Sequence, residues 1–344
     1  MIRALQGTPK HLSRTANLEG FTYLMLNLDF ICNHKCRKCF NLEDDQPVRS
    51  GNHITLERQT DLIKEAADLG GKVVVFSGEG EPLLSKVIRK LVEQTCMSGM
   101  IPIVYSNGTT LTDDNLKLLV DNNASLVISL DSLNAERYMW LTRPKLDITF
   151  KKVMSNIDRA VDVFDKLRYR TGELDALRVA VVTTVSRVNE DEIEQIKKYF
   201  GERAYFICNP LAELGNATSH WAEFRIDEKA KVRHQRLIGR LSETGGPLTL
   251  QKNGCCGYLQ GLGISPDGYY MTCAYTRKTN GLLVNVRNVT LREAFEHKQR
   301  IEVAHYKKYG IAPCLVRAAS FQHYIDTLTA QQAFFSCYGI LENN

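Results

Sequence analysis

No run of this sequence reaches the roughly 18 apolar residues that a membrane span needs. The opening MIRALQGTPKHLSRT also lacks the apolar core of a secretory signal. Both absences predict a cytoplasmic protein with no membrane partner. There is no block of like charge either. Lys and Arg number 44 against 39 Asp and Glu, a net charge of +5, and the basic residues are scattered, so no nucleic-acid surface is expected. An anionic small substrate remains compatible with this balance. No fixed-period repeat and no low-complexity tract occurs, which sets aside solenoids and linker-like chains. What the chain does contain is ten cysteines in 344 residues. In a reducing compartment a disulfide framework explains them poorly, and metal ligation explains them better. With 44% hydrophobic and 24% charged residues, the chain suits one large domain, alone or with an appended module.

Between about residues 20 and 210, short apolar runs alternate with amphipathic ones. Leu24–Phe30, Val73–Phe76, Ile101–Tyr105, Ser125–Leu130, Leu177–Val185 and Ala204–Asn209 are rich in Val, Ile and Tyr and end near Gly, Asn or Ser, which predicts strands. Thr55 and Thr112 are placed to cap helices whose apolar faces carry Leu62, Ile63 and Ala66 in one and Leu116, Leu119 and Val120 in the other. Further helices are predicted over Phe150–Lys166 and Glu190–Phe200. Strands alternating with helices imply an α/β fold with a parallel sheet, either open or curled into a partial barrel. Ligands of such folds bind at the C-terminal ends of the strands. After about residue 220 the rhythm changes, and the expected division is 1–220 and 221–344.

Cys32, Cys36 and Cys39 read C-x3-C-x2-C directly after the first strand. Thiolates are soft ligands suited to zinc or iron–sulfur centres. Three of them on one loop can cap three corners of a [4Fe–4S] cubane and leave the fourth iron open to the amino and carboxylate groups of S-adenosylmethionine. The competing reading is a structural zinc site in a non-catalytic adaptor, which wants four ligands, with His34 on the same loop as the available fourth.

The segment LNLDFICNHKCRKCFN resembles the signature of the radical S-adenosylmethionine superfamily, typically a partial (β/α)6 TIM-like barrel. The resemblance implies a cluster on Cys32, Cys36 and Cys39, reductive cleavage of S-adenosylmethionine to a 5′-deoxyadenosyl radical, hydrogen abstraction from a substrate carbon, and a flavodoxin- or ferredoxin-type electron donor. The superfamily commonly has an aromatic residue just before the third cysteine, close to the adenine. Here that residue is Lys38, with Phe40 following the cysteine.

Later strand ends extend the likeness. Phe76-Ser-Gly-Glu-Gly-Glu-Pro resembles a Gly-Gly-Glu-Pro element, with Glu79 at the first glycine. By resemblance Gly80, Glu81 and Pro82 surround the methionyl amine, and the bland alternative is a glycine-rich loop with solvated glutamates. Asn107, Ser129 and Asp131 lie where polar side chains reach cofactor or substrate, or else form turns and caps. Arg187 and Asn189 are candidates for the cofactor's carboxylate and ribose, or alternatively open the next helix, Asn189 as its cap. Arg143, in Leu-Thr-Arg-Pro, is a further polar residue between the fourth and fifth strands. Cys208 reads as a pocket neighbour or a small core residue, and Cys96 as core.

In the C-terminal third, Cys255 precedes Gly268 by twelve intervening residues and Gly268 precedes Cys273 by four. This pattern resembles the auxiliary-cluster module called SPASM or, in its shorter form, twitch. Ile264–Gly268 would then be a hairpin turn. The resemblance implies a second [4Fe–4S] cluster on Cys255 and Cys273, with Cys256 as the rival of Cys255; Cys314 and Cys337 either complete its four ligands or are buried apolar residues. A later dense cysteine run is missing, which suits the twitch form. The expected function is oxidation or rearrangement of a small polar metabolite of sugar or aminocyclitol type. A first strand beginning near residue 22 leaves no room for a peptide-recognition domain. The second reading is a peptide maturase that forms a crosslink or epimer.

Overall fold

The computed structural model describes residues 1–16, 20–40, 53–145, 147–243, 260–271, 284–309 and 327. Cys255, Cys256, Cys273, Cys314 and Cys337 fall outside them.

Six parallel strands alternate with helices, as the apolar runs predict. They are β2 (Tyr23–Asn27), β3 (Val73–Ser77), β4 (Ile101–Ser106), β5 (Ser125–Ser129), β8 (Val179–Val185) and β9 (Tyr205–Pro210), paired in that order. A hairpin extends this sheet beyond β2: β10 (Gly261–Ile264) runs parallel to β2, and β11 (Tyr270–Met271) runs antiparallel to β10. Ser265 turns the hairpin, its Oγ accepting from Tyr269 N at 3.1 Å. Among the described residues the sheet runs from β11 to β9 and these two edges do not pair with each other, so the barrel is partial.

Side chains of successive strand residues point to opposite faces, and both faces here are buried. Leu24, Leu26, Val74, Phe76, Val104, Leu126, Ile128, Val181 and Phe206 pack outward on helices, whose contributions include Leu62, Ile63 and Ala66 of α2 (Leu56–Asp68). Thr55 caps α2, its hydroxyl accepting from Arg58 N, and Thr112 likewise caps α4 (Asp113–Asp121). On α4, Leu118 joins Leu116 and Leu119 in the core, and Val120 is only partly buried. The remaining helices of the main unit include α3 (Ile88–Met97), α5 (Ala135–Thr142), α6 (Phe150–Asp165) and α7 (Ile193–Phe200). Cys208 faces outward among these helices, which settles it as a core residue.

The inward face is filled at its N-terminal end by a second apolar cluster of Met25, Val73, Val75, Ile103, Val127, Ala180, Tyr205 and Ile207, closed by Leu5, Leu12 and Leu177. Those last three come from a plug that the strand pattern does not announce: β1 (Ile2–Leu5), α1 (Pro9–Thr15) and a small sheet ordered β1-β7-β6, with β6 at Tyr169–Thr171 and β7 at Leu174–Leu177. Short helices α8 (Asn216–Ser219) and α9 (Trp221–Phe224) follow β9, then α10 (Glu228–Leu241), and α11 (Leu291–Tyr309) packs on α2. No helix among the described residues is long and apolar enough to cross a membrane.

Candidate active site

The polar end of the barrel is its C-terminal mouth, and the loop that follows β2 carries Cys32, Cys36 and Cys39 into it. These thiols are partly buried and free of disulfides. Cys32 Sγ accepts from His34 N at 3.4 Å. Burial drives its pKa to about 11, with Glu81 and Cys39 adding to the rise. Burial also holds the Cys36 thiol well above its ordinary range, and Cys39, Lys38 and Cys32 all act on it electrostatically. The three thiols are in mutual electrostatic reach, and Cys32 and Cys36, costly to ionise alone, become good thiolate ligands when a cationic metal supplies the missing charge.

The loop is held from three directions. On the β3–β4 side, Glu81 N donates to Ile31 O at 2.8 Å. Gly80 has no room for a side chain, since a Cβ there would stand 2.3 Å from Asp29 O and 2.6 Å from Ile31 O. The buried Glu81 carboxylate accepts from Asn107 N at 2.7 Å, Leu83 N at 3.4 Å and Thr110 Oγ1 at 3.3 Å, and burial lifts its pKa to about 7. Pro82 then opens a short 3-10 turn, Pro82–Leu84. Asn107 Nδ2 donates to Asn33 Oδ1 at 2.9 Å and lies 3.9 Å from Cys32 Sγ, and Asn33 Nδ2 donates to Thr109 Oγ1 at 2.8 Å.

The second support is the C-terminal end of α5, whose carbonyls need donors. Lys35 N donates to Thr142 O at 3.1 Å and Arg37 N to Leu141 O at 2.9 Å. The Arg37 guanidinium donates to Trp140 O at 3.1 Å and lies over the Trp140 ring at 4.7 Å. Arg143 ends this helix in the left-handed conformation, and its carbonyl also accepts from Lys35 N. The third support follows β9. Asn216 N donates to Cys39 O at 2.8 Å and Asn216 Nδ2 to Cys36 O at 3.2 Å. A Cβ on Gly215 would meet the Phe40 carbonyl at 2.2 Å, so only glycine lets the backbone at Phe40 pass this close.

On the β5–β8 side, Asp131 is 3% exposed, is ion-paired with Lys38 and accepts from Thr184 N at 2.7 Å. Asn189 is equally committed: Oδ1 accepts from Ser186 N at 2.9 Å, and Nδ2 donates to Asp131 O at 2.8 Å and Thr184 O at 3.0 Å. Its side chain does not cap the Glu190–Glu192 turn. Ser129 ends β5 on the inward face, partly exposed. Arg187 is not brought in; it is exposed, and its guanidinium donates to Ala222 O at 3.2 Å.

Residues 27–200 match the model of the Radical SAM superfamily. The chain belongs to that superfamily. It is 32% identical over 164 residues to an S-adenosylmethionine-dependent nucleotide dehydratase of Lacinutrix mariniflava, a match covering 46% of this chain and 32% of that protein, so the chain spans about a third of that relative's length. It is 30% identical over 288 residues to a GTP 3′,8-cyclase of Clostridium perfringens strain SM101, covering 77% of this chain and 84% of the cyclase. Among solved structures, Streptococcus suis SuiB bound to its precursor peptide SuiA superposes with a TM-score of 0.62 at 14% identity, covering 83% of this chain and 66% of SuiB, a likeness of fold.

Membership implies a [4Fe–4S] cluster and bound S-adenosylmethionine, and the donor set fits. The His34 ring packs edge-on to Tyr138, 6.1 Å between centroids, and burial presses its pKa down to about 4. Among the described residues no three His, Cys, Asp or Glu side chains are grouped to hold a single ion. Three thiols on one loop are the soft donor set that an iron–sulfur cluster takes. Asn33, Thr109, Asn216 and Arg37 support the loop without having been singled out by sequence reasoning. Asn216 had a signal, in the Gly-Asn pair after the sixth strand, but its partner was invisible.

Proposed function

We propose that this protein is a radical S-adenosylmethionine enzyme acting on a small anionic substrate of the nucleotide class, by rearrangement or elimination rather than net oxidation. The observation that carries the radical chemistry is the gathering of Cys32, Cys36 and Cys39 at the C-terminal mouth of a parallel partial barrel, with Asn107 beside Cys32. When bound on these thiols, the cluster supplies the electron that cleaves S-adenosylmethionine. The chain's own work is to seat that cluster, hold the cofactor and exclude water above an apolar interior.

The substrate class is supported by the names of the relatives aligned over the sequence, a nucleotide dehydratase and a GTP cyclase. It narrows the expected sugar-type metabolite to one whose sugar is phosphorylated and carries a base. We assign Gly80, Pro82, Asn107, Ser129 and Phe40 to the cofactor side of the mouth. Glu81, Asp131 and Asn189 act on it by positioning, since they are buried with their polar atoms committed, whereas Asn107 stays partly exposed. We retain Cys255, Cys273, Cys314 and Cys337 as ligands of an auxiliary cluster in the 221–344 portion. A cytoplasmic flavodoxin- or ferredoxin-type donor fits the electron demand.

Anaerobic reconstitution tests this reading. Two clusters give about eight irons per chain and one gives about four. Reduced protein incubated with S-adenosylmethionine should form 5′-deoxyadenosine, faster with a panel of nucleoside triphosphates than with aminocyclitols or peptides. No stimulation by any nucleotide refutes the substrate class. No 5′-deoxyadenosine at all refutes the enzyme.

A further inference from the structure

Lys38 lies on the cysteine loop between Cys36 and Cys39. Its side chain is 13% exposed and crosses to the ends of β5 and β8, where the ammonium pairs with Asp131 Oδ2 and donates to Thr184 Oγ1 at 3.2 Å. Asp131 is fixed in turn: its second oxygen accepts from Thr184 N at 2.7 Å and its carbonyl from Asn189 Nδ2 at 2.8 Å. The ammonium is therefore not a free anion receptor. The pair is net neutral, and drawing Lys38 away would strand a buried carboxylate without a counter-charge.

The pair is also oriented. Lys38 stands between Cys36 and Cys39 on the loop, and Asp131 meets that loop through the Lys38 ammonium, so the positive partner is the one carried by the thiol arm. In a poorly solvated site such an oriented charge pair has reach, and groups around cluster ligands tune potential.

Building on the reading of this loop as a cluster seat, we propose that Lys38, held by Asp131 and Thr184, is a positioning residue that fixes the Cys36–Cys39 arm and raises the reduction potential of the cluster seated there. The ammonium favours the reduced, more negative cluster, and the carboxylate opposes it.

The test is an EPR-monitored redox titration of the reconstituted full chain as wild type, Lys38→Met, Lys38→Arg, Asp131→Asn and the double variant Lys38→Met/Asp131→Asn. The midpoint potential should fall in Lys38→Met, rise in Asp131→Asn, stay near wild type in Lys38→Arg, and lie between the two single variants in the double. Shifts of the same sign in both single variants, or no shift in either, overturn the proposal. If Lys38→Met holds no iron, Asp131→Asn decides alone, a rise upholding the proposal and an unmoved potential overturning it. Loss of the cluster from both single variants also overturns it, because the pair would then serve only to hold the loop. A wild type that takes up no cluster refutes the underlying reading, whereas a loaded wild type with unmoved variants refutes this inference alone.

Discussion

Along the inward face of the barrel, the same alternating positions change character from one end to the other. Met25, Val73, Val127, Ala180 and Tyr205 lie low on their strands and meet Leu5, Leu12 and Leu177 of the plug. Asn27, Ser77, Ser129, Thr184 and Asn209 occupy the inward positions at the tops of the same five strands. One end is built from close apolar packing, which supplies stability. The other is lined with polar side chains that packing alone would not select, beneath the three thiols. The contrast teaches that a change low in the barrel should cost folding and a change at the mouth should cost chemistry.

The sharpest way to break that division is Cys36→Ala. It should abolish formation of 5′-deoxyadenosine while leaving the melting temperature of the iron-free protein close to wild type, and residual cleavage would remove Cys36 from the ligand set. The converse is Leu177→Ala, which opens a cavity in the lower cluster where Leu177 is 1% exposed. We expect a loss of about 2–5 kcal/mol by denaturant unfolding, with cofactor cleavage per folded, iron-loaded molecule retained.

A smaller effect sharpens the comparison through pH. Glu81 is buried, and its folded pKa of about 7 lies above its ordinary value of 4.5. The fold thus binds this proton more tightly than the unfolded chain does. The resulting stability is full below the ordinary value and is lost as pH rises through about 7. Iron-free wild type should lose stability across that window relative to Glu81→Gln, and parallel pH profiles would contradict the assignment. The smallest change is Thr55→Ala, which removes the cap of α2 and should cost about 1 kcal/mol without altering cluster content.

Six barrel strands and the two threonine caps are legible in the sequence because strands buried on both faces appear as uninterrupted apolar runs. The plug is not legible, for a specific reason. Leu177–Val185 reads as one strand, yet Leu177 ends β7, which pairs with β1, and Val179 begins β8, which pairs with β5. Between them Arg178 is buried and donates to the carbonyls of Leu119, Val120 and Ala124, turning the chain from one sheet to the other. Ile2–Leu5 and the exposed Tyr169–Thr171 are too short to show a period.

At the site, the cysteine spacing and the polar strand ends were readable because both are local. The partners that hold them were not. Lys38 with Asp131, Asn216 with the Cys36 carbonyl and Asn189 with Asp131 each join strand ends far apart in the chain. Position in sequence likewise put Arg187 near the mouth, while the fold turns its side chain toward α9.

The proposed chemistry requires an iron corner that no protein thiolate closes. The most direct measurement is the EPR spectrum of the reduced, reconstituted protein recorded without and then with S-adenosylmethionine. A change in the cluster signal on adding the cofactor is the expected result, since the cofactor's amino and carboxylate groups would bind that corner. A signal indifferent to the cofactor, or a colourless protein holding zinc in a closed tetrathiolate site, would contradict the account.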